Sequence, residues 1–506
     1  MTMNGVIRRT LRCGKSLLIK SCGIVSVISM IYLVLQLKMA QDIISKRHAD
    51  IAKTKSNLLD KLDTIDNKHT PNKTELDQKP RDFTNIPSQN VFRNRTWSFP
   101  YRFYIYDLPA RFNSNITDCV HSYLHRHVSC GDMSWFGNGA EFARDHELSL
   151  RYTWMFSLEA IVHHKLLHSR YRTLDPAQAH FFYIPYYSGL NCLCEKSNRT
   201  FSTTDNLRAL AEFLHVQQPY IANRPHLMTL SKIEREQGTQ SCAVLHHSMF
   251  AQLDVAFIGI EQDIWRRQTT KPLIVAPYPS YGHFLSDQPL ETARNQYLTT
   301  LYSDTRDVTL FLASGTRFAS HGGIRALVIK QLPRPIYSTY DAYTQLHPNM
   351  TSQPLNVFLA TPECWGKHHE YTMTWMKHSL FCLQPSGDSP TRKSFYDAII
   401  SGCIPVLFNV ANKRVKYPFD THLNYSAFTV QLEEADVNNG ALLTDLMKPY
   451  MSRAVIERMQ AALLQVVPFF QYNVLVSNST TDTHVDALYY VLQDVKELLL
   501  EKSAQV

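Results

Sequence analysis

The segment "PSGDSPTRKSFYD", residues 385–397, places small polar residues, two cations and a carboxylate between two apolar runs. The run before it, "LFCLQ", reads as a buried strand, and the pattern after it reads as a helix opening near Arg392. The first amides of a helix lack intrahelical partners and make an anion site. Gly387 lets the backbone approach such an anion, Ser389 and Thr391 offer hydroxyls, and Arg392 and Lys393 would neutralise a diphosphate. Asp397, an acceptor when ionised, could hold a diol such as a ribose. The same residues also fit a capped surface helix, with Ser389 or Thr391 as N-cap and Asp397 solvated.

A second loop of the same kind lies upstream. "SGTRFASHGGIRALV" follows the strand-like "DVTLFLAS" and opens a helix; Gly315, Gly322 and Gly323 keep it open, and Arg317 and Arg325 add cations. Neither loop matches the phosphate loop of nucleotide triphosphatases or the dinucleotide fingerprint, and the chain has no G-x-S-x-G elbow. No Asp-x-Asp occurs, so a diphosphate held through a divalent metal is not expected, and cations with helix amides are.

These loops need strands to carry them. "YRFYIYDLP", "AHFFYIPYYSGL", "LIVAPYPSYGHF", "DVTLFLAS", "PLNVFLAT" and "LFCLQP" read as strands that alternate with helical patterns such as "YTWMFSLEAIVHHKLLHS". Alternation implies an α/β fold with parallel sheets, whose ligands sit at the strands' carboxyl ends. The pattern divides into an α/β unit over 99–300 and a second over 301–506, the latter with a helical tail from about 439.

Ahead of that body, residues 1–38 carry six basic residues and no acid, and Ser21–Leu37 is uncharged. The stretch 17–38 is expected to be an uncleaved signal-anchor membrane helix with residues 1–16 in the cytoplasm. Residues 39–98 read as a stem and linker, with apolar residues every seventh position from Leu37 to Ile65 and a route to homo- or hetero-oligomers. The body itself is near neutral, which gives no case for nucleic acid. Sequons at Asn72, Asn94, Asn115, Asn198, Asn349, Asn424 and Asn478 suit a lumenal body, as do eight cysteines beyond the anchor. Cys192-x-Cys194 lacks a second pair at zinc spacing, and Cys382 and Cys403, inside apolar strands, are expected as buried thiols.

"FCLQPSGDSPTRKSFYDAIISGCIPVLF" closely resembles the donor-binding segment of the exostosin-like glycosyltransferases, nearest to the plant xyloglucan galactosyltransferase branch. "FYIYDLPARFN", "MFSLEAIVHHKLL", "RTLDPAQAHFFYIPYYSGL" and "FLASGTRFASHGGIRALVIKQL" agree in the same order, over about residues 101–430. The resemblance implies a GT-B fold of two Rossmann-like domains across a cleft. It implies inverting, metal-independent transfer from a UDP-sugar, UDP-galactose by nearest branch, to a glycan or polysaccharide in the Golgi. A non-catalytic lumenal subunit of a transferase complex is the alternative. By motif, Asp397 falls where the family carries an acidic residue like the ribose-binding carboxylate of GT-B enzymes, and Arg325 and Arg392 match cations near the diphosphate. One departure is "ANRPHLM", with Arg224, Pro225 and His226, where family members often read Gly-Arg-Asp-His.

Such a transfer needs a general base, expected from the first unit. The candidates are Asp107 at a strand end, Glu141, Glu159 and His283. Asp107 also suits a cap of the "YDLP" turn, and Glu159, four residues before His163, suits a helix-face pair.

Overall fold

The computed structural model describes Val91, Phe92 and most of residues 99–503. By its contacts the chain separates into Met1–Asp77 and Gln78–Val506. The first unit, with the expected anchor and most of the stem, lies outside the described residues. Among the described residues no helix is long and apolar enough to cross a membrane.

The first sheet is built from β1 (Phe103–Ile105), β2 (Phe181–Ile184), β3 (His226–Leu230), β4 (Val255–Gly259) and β5 (Leu273–Val275). All five are parallel and lie side by side in chain order. Helix α1 (Leu158–Leu167) leads into β2, and α2 (Ser188–Ser197) follows it. Side chains alternate along a strand, so Phe181 and Tyr183 join Leu158 and Ile161 of α1 in one layer. Phe182 and Ile184 join Ile116, Val120 and Leu190 in the other. Burial on both faces explains why the strands read as continuous apolar runs.

The second sheet comprises β6 (Val308–Ser314), β7 (Leu355–Ala360), β8 (Ser379–Gln384), β9 (Ile404–Asn409) and β10 (Val430–Glu433). Its order is β7-β6-β8-β9-β10, again all parallel. Helices α3 (Ile324–Lys330), α4 (His368–Lys377) and α5 (Lys393–Ile400) connect these strands. The winding reverses between β6 and β8, and that reversal opens a crevice at their carboxyl ends.

Near the end of the chain, α6 (Arg453–Val466) sends Ile456 and Met459 into the second sheet's core and Leu463 and Val466 into the first's. Then α7 (Ala487–Ser503) returns to the first sheet: Leu488, Val491 and Val495 pack in the core of Phe181 and Ile258. Just before α7, Asp486 pairs with Lys165 at 2.7 Å. The C-terminal tail therefore does not belong to the second sheet alone.

Among the described residues, Cys119–Cys194, Cys192–Cys242 and Cys382–Cys403 form disulfides, with Cα–Cα distances of 5.9, 5.5 and 5.8 Å. The last pair corrects the expectation of two buried thiols. Adjacent parallel strands bring Cys382 beside Pro405, so Cys403 arrives within bridging distance. Cys192 and Cys194 go to different partners and make no metal pair. Cys130 and Cys364 lie outside the described residues.

Candidate functional site

The switch point of the second sheet is closed by one side chain. Arg392 donates through Nη1 to the Pro385 carbonyl at 3.1 Å and through Nη2 to the Ala313 carbonyl at 2.8 Å. Its guanidinium thus ties the end of β8 to the end of β6. Arg325, the second residue of α3, reaches the same place: a Cβ at Gly387 would sit where its Nη2 lies. With glycine at 387 that cation can lie against the backbone, and a larger residue there would displace it. Burial, then the charge of Arg325, pushes the Arg392 guanidinium down to about 9. Two cations held together at the carboxyl ends of such strands could face an anion. Gly387 is exposed, and the Ser389 hydroxyl donates to the Thr391 carbonyl at 3.3 Å. Arg317 lies outside the described residues.

The rest of the motif is turned toward partners within the protein. The Thr391 N–H donates to Glu261 Oε2 at 2.9 Å, and its hydroxyl donates to the same oxygen. Lys393 Nζ is 3.0 Å from both oxygens of Asp397, and the Tyr281 N–H donates to Asp397 Oδ1 at 2.8 Å. Asp397 is 2% exposed. Burial pushes its carboxyl up, against the pull of Lys393, and pushes the Lys393 ammonium down to about 8. The expected ribose carboxylate and one expected diphosphate cation therefore satisfy each other. The reason is helical spacing: residues four apart share a face, and this face of α5 is buried against Tyr281.

The four candidate bases separate cleanly. Glu159 is fully buried and accepts from the N–H groups of Gly189, Leu190 and Ser231 and from the Ser188 hydroxyl. It caps the start of α2 and does not pair with His163, which meets the Tyr187 hydroxyl at 3.0 Å. Burial pushes Glu159 up to about 7, and those donors restrain the rise. His283 is also fully buried, with Nδ1 donating to the Tyr472 carbonyl at 2.6 Å and Nε2 2.7 Å from the Thr153 hydroxyl. Neither can reach an acceptor in this structure. Glu141 is exposed but ion-paired with Arg144 at 2.8 Å and hydrogen-bonded by Ser149 at 2.5 Å. Slight burial raises its carboxyl, and those partners more than reverse that, leaving a weak base. Asp107 is exposed just past β1, at the sheet's carboxyl edge.

That edge holds residues the sequence reading missed. Glu261 follows β4 and grips Thr391; Tyr278 follows β5, its hydroxyl 3.5 Å from that of Thr391. Lys232, past β3, is buried and bridges Glu236 at 2.7 Å, with the Glu236 side chain 40% exposed. The charges of Glu261 and Glu236 both add to the upward push of burial on Tyr278. Each is a polar residue placed a few positions after an apolar strand, the one signal that could have found it. At the departure from the family pattern, His226 is buried in β3 and meets the Tyr106 hydroxyl at 3.0 Å.

Of the sequons, Asn115 and Asn198 are exposed and Asn424 is half-buried. Asn72, Asn94, Asn349 and Asn478 lie outside the described residues.

Residues 100–446 match the exostosin GT47 domain. A probable xyloglucan galactosyltransferase of Arabidopsis thaliana is 26% identical over 73% of this chain and 76% of its own length. The xyloglucan-specific galacturonosyltransferase 1 of the same plant is 25% identical over 70% of this chain and 50% of its own length. A solved glycosyltransferase of Rickettsia africae covers 80% of this chain and 99% of its own at 9% identity, with a TM-score of 0.30. The family match spans most of the body and contains both cation-bearing loops, so the chain belongs to the exostosin GT47 family and is a glycosyltransferase.

Proposed function

We propose that the protein transfers a sugar from a UDP-sugar to a xyloglucan-type polysaccharide, inverting the anomeric centre without a metal ion. One observation carries this reading: Arg325 and Arg392 meet at the switch point of the second sheet. A nucleoside diphosphate there would set its phosphates against these two cations and the backbone near Gly387 and Ser389. The same cations would offset charge on the departing diphosphate. The lack of an Asp-x-Asp supports cations in the role a metal plays elsewhere. The acceptor class comes from the names of the relatives, which favour galactose as donor sugar and galacturonic acid next.

In this reading the two sheets are the lobes of a GT-B enzyme, with Lys393 and Asp397 holding the donor helix. An acceptor hydroxyl attacks from the side opposite the diphosphate. It gives its proton to a carboxylate at the first sheet's carboxyl edge, where Asp107 keeps an exposed side chain. The disulfides among the described residues and the exposed sequons support a body in the Golgi lumen behind a single anchor.

The test is UDP release by the purified full-length chain from a panel of UDP-sugars, with soluble xyloglucan as acceptor and EDTA present. Acceptor-dependent release is expected with one sugar of the panel. Loss in EDTA with recovery in manganese would refute the metal-free step, and no release from any donor would refute the transfer.

A further inference from the structure

We propose that the turn Trp135–Phe136 is a stacking platform for the sugar rings of the acceptor polysaccharide. The proposal rests on the transferase reading for the identity of the ligand, and on geometry for the site. Trp135 and Phe136 are 57% and 59% exposed, adjacent, and both have positive φ, 50° and 57°. Two bulky residues in succession in the left-handed region are strained, and such strain persists where the surroundings over-determine it for a function. Here they do. Asp132 accepts from the Ser134 N–H and hydroxyl at 2.8 and 2.6 Å and from the Ala140 N–H at 2.9 Å, pinning both ends of the turn. Gly139, at φ 80°, lies so close to the Tyr152 carbonyl that any side chain would clash with backbone.

Each ring is backed on one face. The Arg151 guanidinium lies 5.1 Å from the Trp135 ring, and the His164 ring stacks on Phe136 at 3.6 Å with 4° between planes. Arg151 is itself fixed by the Gly139 carbonyl at 2.8 Å. Rigid rings held against one support, in residues more than half exposed, suit the flat C–H face of a pyranose, whose partial positive charge meets the negative face of an aromatic ring.

Position fits the acceptor. Gly137 packs against Ser157 and Ala160, at the start of α1. That end of α1 is at the first sheet's carboxyl edge, since Glu159 in its first turn bonds the chain just past β2 and β3. Tyr152, against Gly139, donates to Glu370 in the first turn of α4, at 3.0 Å, so the platform adjoins the contact between the two sheets. Met155, at 37%, is the other exposed large apolar residue of this stretch, among the described residues. Two rings and a methionine are far fewer than the roughly 20–30 residues a side of a protein interface, and they match one or two sugars.

The test titrates soluble xyloglucan oligosaccharides, and separately UDP, into the full-length protein and its Trp135→Gly, Phe136→Gly and Trp135→Tyr variants by calorimetry. Glycine accepts the positive φ, so the Gly variants should keep or raise Tm. We expect each to weaken oligosaccharide binding at least tenfold, Trp135→Tyr to retain it, and UDP affinity to stay unchanged. Gly variants that bind the oligosaccharide as wild type does, or that change only self-association, overturn the platform, as does a wild type that binds UDP but no oligosaccharide. A wild type that binds oligosaccharide through these rings but no UDP leaves the platform standing and removes the UDP-sugar reading.

Discussion

Glu261, two residues past the first sheet's β4, accepts both the backbone N–H and the hydroxyl of Thr391 in the second sheet's donor loop. One carboxylate oxygen therefore sets the loop that precedes α5, across the boundary between the two sheets. With Glu261 2% exposed, its removal leaves the buried Thr391 N–H unpaired, at about 1–3 kcal/mol, and the Thr391 hydroxyl with only its long contact to Tyr278. Glu261→Ala should lower Tm and weaken UDP binding roughly tenfold, while Glu261→Gln, which keeps an acceptor oxygen, should recover most of both. UDP affinity unchanged in Glu261→Ala would mean that the contact holds the fold without setting the site.

Lys393 and Asp397 make a second prediction. Both are buried and each is the other's counter-charge. Removing one partner strands a charge, at about 3–5 kcal/mol, whereas an apolar pair of similar volume is often tolerated. Denaturant unfolding should find Asp397→Ala strongly destabilised and Lys393→Met with Asp397→Leu close to wild type. A cost below about 1 kcal/mol for the single change would show that the ion pair is not what holds this face of α5.

The fold was legible where a physical pattern was local. The continuous apolar runs of β2, β6 and β8 announced strands buried on both faces, and their alternation with helices announced parallel sheets. Arg392 stood out because a cation after a strand and before a helix has few other reasons to be there. What was not legible depended on partners far along the chain. Nothing near Asp397 reveals that Tyr281 meets it from 116 residues away, and nothing near Glu159 reveals the amides past β2 and β3. Cys382 and Cys403 read as thiols because each sits in an apolar strand; only the register of β8 on β9 brings them together.

That disulfide closes a loop with a sequence separation of 21 residues, for which chain entropy gives about 3 kcal/mol. Cys382→Ala with Cys403→Ala should lower stability by roughly that amount and lower Tm under non-reducing conditions. An unchanged Tm would count against the bridge.

Stability should also depend on pH. Burial pushes His163 and His226 down to about 4 and His164 and His283 down to about 3, from 6.5. Between those values and 6.5 the unfolded chain binds more protons, so stability rises with pH across that window and is lost on acidification. Glu159, pushed up by burial from 4.5 to about 7, and Asp397, also raised by burial, act the other way, but they are two groups against five histidines once His247, also lowered by burial, is counted. Thermal unfolding should give a higher Tm at pH 7 than at pH 5, with a shallower slope for His283→Gln. A Tm that falls over that range would contradict the assignment of buried neutral histidines.

The claim at the centre of this account is that Arg325 and Arg392 hold a nucleoside diphosphate. Its most direct test is the dissociation constant for UDP, by calorimetry in EDTA, for the full-length protein and for Arg325→Ala and Arg392→Ala. A charge-assisted hydrogen bond to an anion is worth about 1.5–3 kcal/mol, so each variant should bind UDP roughly ten- to a hundredfold more weakly. Both variants binding UDP as tightly as the wild type would contradict the account.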